Sequence, residues 1–122
     1  HIIFLEGNLW AQRLEFLGKP KDAKDALRIL KILSGRTHRV LTAVAVAANR
    51  KRAISVSVSQ VTFAPMKLAQ IQTYIASGEP MGKAGAYGVQ GLAATYISEI
   101  KGSYSGIMGL PLFETSEILK SI

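Results

Sequence analysis

The segment "GKAGAYGVQGLAATYI", residues 82–97, combines residue types that suit the binding of a phosphorylated ligand. Lys83 and Gln90 stand among four glycines that recur at every third position, Gly82, Gly85, Gly88 and Gly91. Glycines let a ligand approach the backbone, and the lysine supplies a positive charge. The amide of Gln90 carries a donor and an acceptor and could read the edge of a nucleobase. The alternative is a glutamine that caps or braces its own loop, and the spacing alone does not name a ligand.

A second lysine stands where a helix is expected to begin. Lys19 precedes Pro20, whose ring restricts the preceding residue to extended conformations. A lysine next to a helix N-terminus can meet phosphate oxygens together with the helix dipole. The alternative for Lys19 is an ordinary solvated side chain.

Familiar catalytic motifs are absent from the sequence. His1 and His38 are its two histidines and there is no cysteine, which is too few ligands for a zinc site without clustered carboxylates. The sequence has no G-x-S-x-G motif, no P-loop and no G-x-G-x-x-G after a strand. We expect His38, at the start of a strand, to be a structural hydrogen-bonding residue rather than a base.

The first half of the chain predicts two helices after an opening strand. "HIIFLEG", residues 1–7, is β-branched and aromatic and predicts a strand. Trp10, Leu14 and Leu17 recur at helical spacing, so residues 8–18 form a short helix or an irregular loop. A clearer helix follows, with Asp22 as its cap and Gly35 at its end.

The middle of the chain predicts two long antiparallel strands. In "HRVLTAVAVAA" both faces are apolar, which is typical of a central strand covered on both sides. In "AISVSVSQVTF" the apolar residues change parity near Ser59 and Gln60, which predicts a β-bulge. With a helix in "MKLAQIQTYIASG", residues 66–78, a strand at 95–100 and a C-terminal helix, the sequence predicts one α/β domain, residues 1–122, with a mixed, twisted sheet flanked by helices.

Composition favours an anionic partner. The formal net charge is +7, from 15 basic and 8 acidic residues. The only basic run, "NRKR" at residues 49–52, lies between two predicted strands and has no stacking aromatics, so we expect a solvated hairpin tip rather than a nucleic-acid patch. The longest apolar-leaning run, residues 40–48, is about half the length of a membrane span. Without cysteine, a cytoplasmic location is the natural expectation.

Three segments together resemble the Maf family of nucleoside triphosphate pyrophosphatases. They are residues 18–46, which include "GKPKDA" and "LSGRTH", then "VTF" at 61–63, and residues 74–115, which include "KAGAYGVQG" and "GLPL". The resemblance implies a Maf or inosine-triphosphatase-like fold. It also implies hydrolysis of a nucleoside triphosphate between its α and β phosphates, with Mg²⁺ or another divalent ion as cofactor.

Site residues follow from the same resemblance. Lys19 and Lys83 are expected to hold phosphates, Gln90 to contact the base, and His1 to occupy a second position that sets substrate specificity. The "AYGVQG" form is similar to the branch that prefers dTTP and UTP. The partners implied are pyrimidine nucleoside triphosphates, with no membrane and no nucleic acid, and with room for a homodimer.

The chain also departs from the family pattern. The family's catalytic aspartate would directly precede His1, and the "S-x-S-P-R-R" phosphate loop has no counterpart in this sequence. We therefore expect the C-terminal two thirds of the family domain, an insertion at residues 8–16, and no activity of the chain as given. The catalytic residues stay unassigned.

Two other function classes remain open from the sequence. The first is a non-catalytic interaction protein that docks a partner through an exposed sheet and a basic face. The second and weaker one is nucleic-acid binding through "NRKR" and the scattered lysines.

Overall fold

Five strands form one antiparallel sheet in the computed structural model, which describes residues 2–6, 14–48 and 50–121. The strands are β1 (Ile2–Glu6), β2 (Leu14–Phe16), β3 (Thr37–Ala48), β4 (Lys51–Phe63) and β5 (Ile97–Lys101). Their order is β2-β1-β3-β4-β5, and every neighbouring pair is antiparallel. The prediction of a mixed sheet was therefore wrong for the described strands, whereas the α/β class and the central position of β3 are confirmed.

Four α-helices lie within the described residues. They are α1 (Ala23–Leu33), α2 (Leu68–Ala76), α3 (Tyr104–Met108) and α4 (Leu112–Ser121). Helix α1 begins as predicted, because the Asp22 side chain accepts a hydrogen bond of 2.8 Å from the Asp25 amide. The chain leaves this helix through Gly35, which has a φ of 68° that favours glycine. No helix within the described ranges is long and apolar enough to cross a membrane.

The core lies on one face of the sheet. Ile3, Val40 and Val61 point to this face, where they share a core with Leu30 and Leu33 of α1. On the opposite face, Ile54, Val56 and Val58 of β4 are exposed, and so are the neighbouring Ala43 and Ala45 of β3. The prediction that β3 is covered on both sides was therefore wrong.

Strand β4 keeps one register against β3 from end to end, so the predicted bulge near Ser59 and Gln60 is not present in that pairing. An irregularity lies instead at Thr62 and Phe63, against β5. The sequence pattern misled because two buried positions of β4 are serines, Ser57 and Ser59. Hydroxyl groups suit these positions because the strand meets main chain there. Ser59 Oγ, for example, accepts a hydrogen bond of 2.9 Å from the Ser103 amide.

The segment before α1 is a strand where it is described. Leu14–Phe16 pairs with β1, with Phe16 opposite Phe4, so the helical alternative was wrong for these residues. His1, Trp10 and most of the predicted insertion lie outside the described residues. The basic run does form a hairpin tip as predicted, because Ala48 pairs with Lys51 and Arg50 has a φ of 65°.

Candidate functional site

The loop that carries Lys19 is attached to the glycine-rich segment. The Gly85 amide donates a hydrogen bond of 3.0 Å to the Gly18 carbonyl. Pro20 is buried, so the chain is anchored on either side of the lysine, whose own side chain is exposed. The bond between these loops brings Lys19, which precedes α1, close to residues that lie much later in the sequence.

The glycine-rich segment is held by Tyr74 and Glu79 from the end of α2. The Tyr74 hydroxyl accepts a hydrogen bond of 3.3 Å from the Gly88 amide. The Glu79 carboxylate accepts bonds of 2.9 Å and 3.4 Å from the amides of Leu92 and Ala93, at the start of a 3₁₀ helix, Leu92–Tyr96. These bonds fix the backbone on both sides of Gln90.

The glycines of this segment make room for side chains of the protein itself. A Cβ on Gly91 would lie 1.6 Å from Glu79 Oε1, and one on Gly88 would lie 3.2 Å from Lys83 Cε. The interpretation of the glycines as openings for a ligand therefore does not hold at these two positions. Their absent side chains instead let Glu79 and Lys83 lie across the loop.

The carboxyl group of Glu79 is ionised at neutral pH. Burial acts to raise its pKa, but hydrogen bonds from Tyr74 and from the Leu92 and Ala93 amides, together with the charge of Lys83, hold the pKa below the ordinary 4.5. Lys83 Nζ donates a bond of 2.9 Å to the main-chain carbonyl of Glu79. An ammonium group has three donors, so Lys83 keeps others for a ligand.

A pocket of about 360 Å³ is lined by Lys19, Lys83 and Gln90 together. Three residues separated in sequence thus converge on one cavity, and all three side chains are exposed. Ile107 and Met108 of α3 form an apolar part of the wall. The arrangement places two cations and one amide around a space that can hold a small anionic ligand.

A buried pair of rings supports this pocket. Tyr87 lines the cavity, and its hydroxyl lies 2.6 Å from His38 Nε2. The His38 ring stacks on Phe63 with centroids 5.7 Å apart, and burial lowers the pKa of His38 from 6.5 to about 4. Burial also raises the pKa of Tyr87, so both groups are neutral at pH 7. The structural hydrogen bond predicted for His38 is confirmed.

Sequence comparison assigns the chain to a family. A sequence profile described as Maf-like protein matches residues 3–122. The chain belongs to the Maf family. A protein of Polaromonas sp. strain JS666 named dTTP/UTP pyrophosphatase is 66% identical over 86% of this chain and 52% of the relative. Proteins with the same name from Albidiferax ferrireducens and Cupriavidus metallidurans are 63% and 58% identical, over 88% and 87% of the chain and 54% and 53% of each relative.

The extent of the Maf match differs from the sequence prediction. It begins at residue 3, well before the segments that carried the resemblance, and does not support the expectation that only the C-terminal two thirds of the family domain are present. The chain spans about half the length of the curated relatives it matches. His1 and residues 8–13 of the expected insertion lie outside the described ranges.

The expected Mg²⁺ is not tested by the part of this Maf protein that the structure describes. No group of three or more His, Cys, Asp or Glu side chains converges there in a way that could hold a metal ion. Glu79 is engaged by main-chain amides and by Tyr74. The cofactor therefore stays a prediction of the family resemblance.

Sequence reasoning missed a second pocket, of about 370 Å³, that adjoins the first. Both cavities are lined by Val89 and Gln90, and the second is also lined by Glu99 and Tyr104. Tyr104, the first residue of α3, is a large aromatic side chain that is 46% exposed. The available signal was an aromatic residue in the glycine-rich and serine-rich segment "KGSYSG".

Proposed function

We propose that this Maf protein is a nucleoside triphosphate pyrophosphatase that takes dTTP and UTP. The observation that carries the proposal is the single pocket lined by Lys19, Lys83 and Gln90. The names of the relatives that match at 58–66% identity support the same substrate class. A cytoplasmic location, where such nucleotides are abundant, belongs to this proposal.

The two lysines bind the triphosphate in this proposal. Lys19 lies on a loop that is anchored by the hydrogen bond from Gly85 to Gly18. The ammonium group of Lys83 donates a hydrogen bond to the Glu79 carbonyl. Both lysines line the same cavity. Charge-assisted hydrogen bonds from ammonium groups to phosphate oxygens are stronger than bonds between neutral groups. Lys19 and Lys83 thus supply most of the affinity, and Gln90 supplies the contact with the base.

The reaction breaks one phosphoanhydride bond. Water attacks the α phosphorus, the bond to the oxygen that bridges the α and β phosphates breaks, and pyrophosphate leaves while one proton passes to solvent. The described residues bind and orient the nucleotide in this scheme. None of them is assigned the task of general base.

Calorimetric titration of the chain with UTP in the presence of Mg²⁺ tests the proposal. Lys19→Ala and Lys83→Ala should each weaken UTP binding about tenfold or more, because each removes a charge-assisted bond. Lys31→Ala is the matched control, since Lys31 is exposed on α1 and does not line the pocket. Unchanged affinity in both lysine variants, or no UTP binding by the chain, would contradict the proposal.

Pyrophosphate release from dTTP and UTP, with ATP and GTP as controls, tests the catalytic part. The expectation from the family resemblance is that the chain as given does not turn over substrate. Turnover that Gln90→Ala abolishes would show that the chain holds a complete site and that this expectation was wrong. Binding without turnover would agree with a nucleotide site whose catalytic base lies elsewhere.

A second candidate function, interaction through the open face of the sheet, has one observation in its favour. Ile54, Val56 and Val58 form an exposed apolar row on β4, beside Ala43 and Ala45 of β3. Contiguous apolar surface of this kind marks interaction sites, and the three side chains of the row on β4 are themselves uncharged. We propose that two copies pack these faces against each other.

Sedimentation velocity tests this association. The wild-type chain should form a dimer at tens of micromolar, and Val56→Lys should dissociate it by placing a charge in the interface. Ser116→Lys on exposed helix α4 adds the same charge elsewhere and should leave the dimer intact. A wild-type chain that stays monomeric would refute this candidate.

A further inference from the structure

The two adjoining pockets differ in charge. The first pocket is lined by Lys19 and Lys83. The described lining of the second contains no basic residue, and its one charged side chain is the carboxylate of Glu99. A polyphosphate is therefore attracted to the first pocket and repelled by the second. A ligand with one charged end and one flat, weakly polar end has only one favourable orientation across the pair.

Helix α3 and residue Gln90 connect the two pockets. Tyr104 lines the second pocket, whereas Ile107 and Met108 line the first. Residues three and four positions apart lie on one side of a helix, so the two cavities follow each other along α3 within about one turn. Val89 and Gln90 line both cavities. A ligand that extends from one cavity into the other must pass Gln90.

The second pocket has the surfaces that a nucleobase requires. Tyr104 is exposed to 46% on the cavity side of the fold, and Ile97 and Ile100 of β5 provide apolar walls. Stacking of a base on an aromatic ring is favourable with any base because every base has a π face. Discrimination among bases then requires a hydrogen-bonding group at the edge of the base. Gln90 lines both pockets and is placed to supply that group.

We propose that the base of the bound nucleotide stacks on Tyr104 in the second pocket, while its phosphates lie in the lysine pocket and Gln90 contacts the base edge where the two meet. This inference rests on the proposed function and adds the orientation of the substrate and a stacking residue. It divides recognition into two parts, one for charge and one for the base, that can be measured separately.

Binding of UTP and of inorganic tripolyphosphate, compared in the same chain, separates the two parts. Tyr104→Leu should weaken UTP binding about tenfold and leave tripolyphosphate binding unchanged, because tripolyphosphate has no base to stack. Tyr104→Phe keeps the aromatic ring and should bind UTP as the wild type does. Phe113→Leu is the control, because Phe113 is 72% exposed on α4 and lines neither pocket.

Proton NMR measures the chemical shifts of the Tyr104 ring, which would not respond to UTP if the residue had only a structural role. The ring resonances of Tyr104, assigned by their loss in Tyr104→Leu, should shift upfield when UTP binds and stay in place when tripolyphosphate binds. Equal loss of affinity for both ligands in Tyr104→Leu, or no loss for either, would overturn the stacking role. In contrast, the proposed function itself fails if Lys19→Ala and Lys83→Ala both leave UTP and tripolyphosphate binding unchanged, or if neither ligand binds the wild-type chain.

Discussion

Protonation of His38 should control the stability of the fold below neutral pH. The ring is 1% exposed, it packs between Phe63 and Tyr87, and burial lowers its pKa from 6.5 to about 4. The unfolded chain therefore binds a proton at this position between pH 6.5 and 4, while the folded chain does not. Stability must fall as the pH is lowered through this range, and it falls no further below about pH 4, where both states are protonated.

The size of the effect follows from the two pKa values. The full difference between them corresponds to about 3 kcal/mol, of which about 2 kcal/mol should be lost between pH 7.5 and pH 5. Asp25 and Glu79 also have lowered pKa values, but they lose their contributions only as the pH falls below their ordinary values of 3.8 and 4.5. The range from pH 7.5 to 5 thus isolates the histidine.

Urea unfolding of the wild type and of His38→Gln at pH 7.5, 6.5, 5.5 and 5 measures this loss. Glutamine can still hydrogen-bond the Tyr87 hydroxyl but does not titrate, so the free energy of unfolding of the variant should vary with pH by about 2 kcal/mol less than that of the wild type. His38→Asn provides a second non-titrating variant if His38→Gln folds poorly. Parallel pH profiles for wild type and variants would refute the reasoning, because they would show that His38 titrates alike in the folded and unfolded chains.

Three further substitutions test other parts of the structure by urea unfolding. Tyr87→Phe leaves a buried nitrogen of His38 without its partner and should lower the free energy of unfolding by about 1–3 kcal/mol; a neutral result would mean that the 2.6 Å bond is replaced by another contact. Gly91→Ala places a methyl group on the Glu79 carboxylate and should cost about 1–3 kcal/mol, but much less in a Glu79→Ala background, and additive effects would contradict the contact. Leu30→Ala empties a fully buried site and should cost about 2–5 kcal/mol, whereas a loss below 1 kcal/mol would place Leu30 outside the core.

Local chemistry made several elements predictable. Asp22 caps α1 because its short acidic side chain reaches an unpaired amide three residues on. The hairpin tip followed from a polar, basic run between two β-branched segments, and Arg50 lies in it. In each of these cases the deciding interaction lies within a few residues of sequence.

The face of β4 that is buried depends on long-range packing, and the sequence pattern did not predict it. The change of apolar parity in β4 predicted a bulge, yet Val56 and Val58 are simply exposed and the alternate residues Ser57 and Ser59 are buried. Helix α3 packs on the buried side, and its backbone supplies hydrogen-bond partners for hydroxyl groups of the sheet. The Gly106 carbonyl, for example, accepts a hydrogen bond of 2.7 Å from the Thr42 hydroxyl. Nothing in the β4 sequence encodes where that helix packs, so a pattern based on hydrophobicity alone assigns the faces incorrectly.

The sequence named three residues of the candidate site, but it did not predict the shape of the cavities around them. The family resemblance supplied Lys19, Lys83 and Gln90, and the structure gathers all three at one cavity. The neighbouring pocket with Tyr104 could not be predicted, because it depends on the position of α3 beside the glycine-rich segment. Sequence spacing describes a loop, but the shape of a cavity depends on which other element closes it.

The construction of the glycine-rich segment bears on the proposed contact between Gln90 and a nucleobase. Gln90 is an exposed side chain, which would ordinarily sample several rotamers and discriminate poorly. Its backbone, however, is held on one side by the bond from Gly88 to Tyr74 and on the other by the bonds from Leu92 and Ala93 to Glu79. Because those bonds fix the backbone before any ligand arrives, the ordering cost on binding is limited to the side chain of Gln90 itself. In the proposed function, the glycines that leave room for Glu79 and Lys83 therefore contribute to specificity indirectly, by letting the end of α2 hold the loop in place.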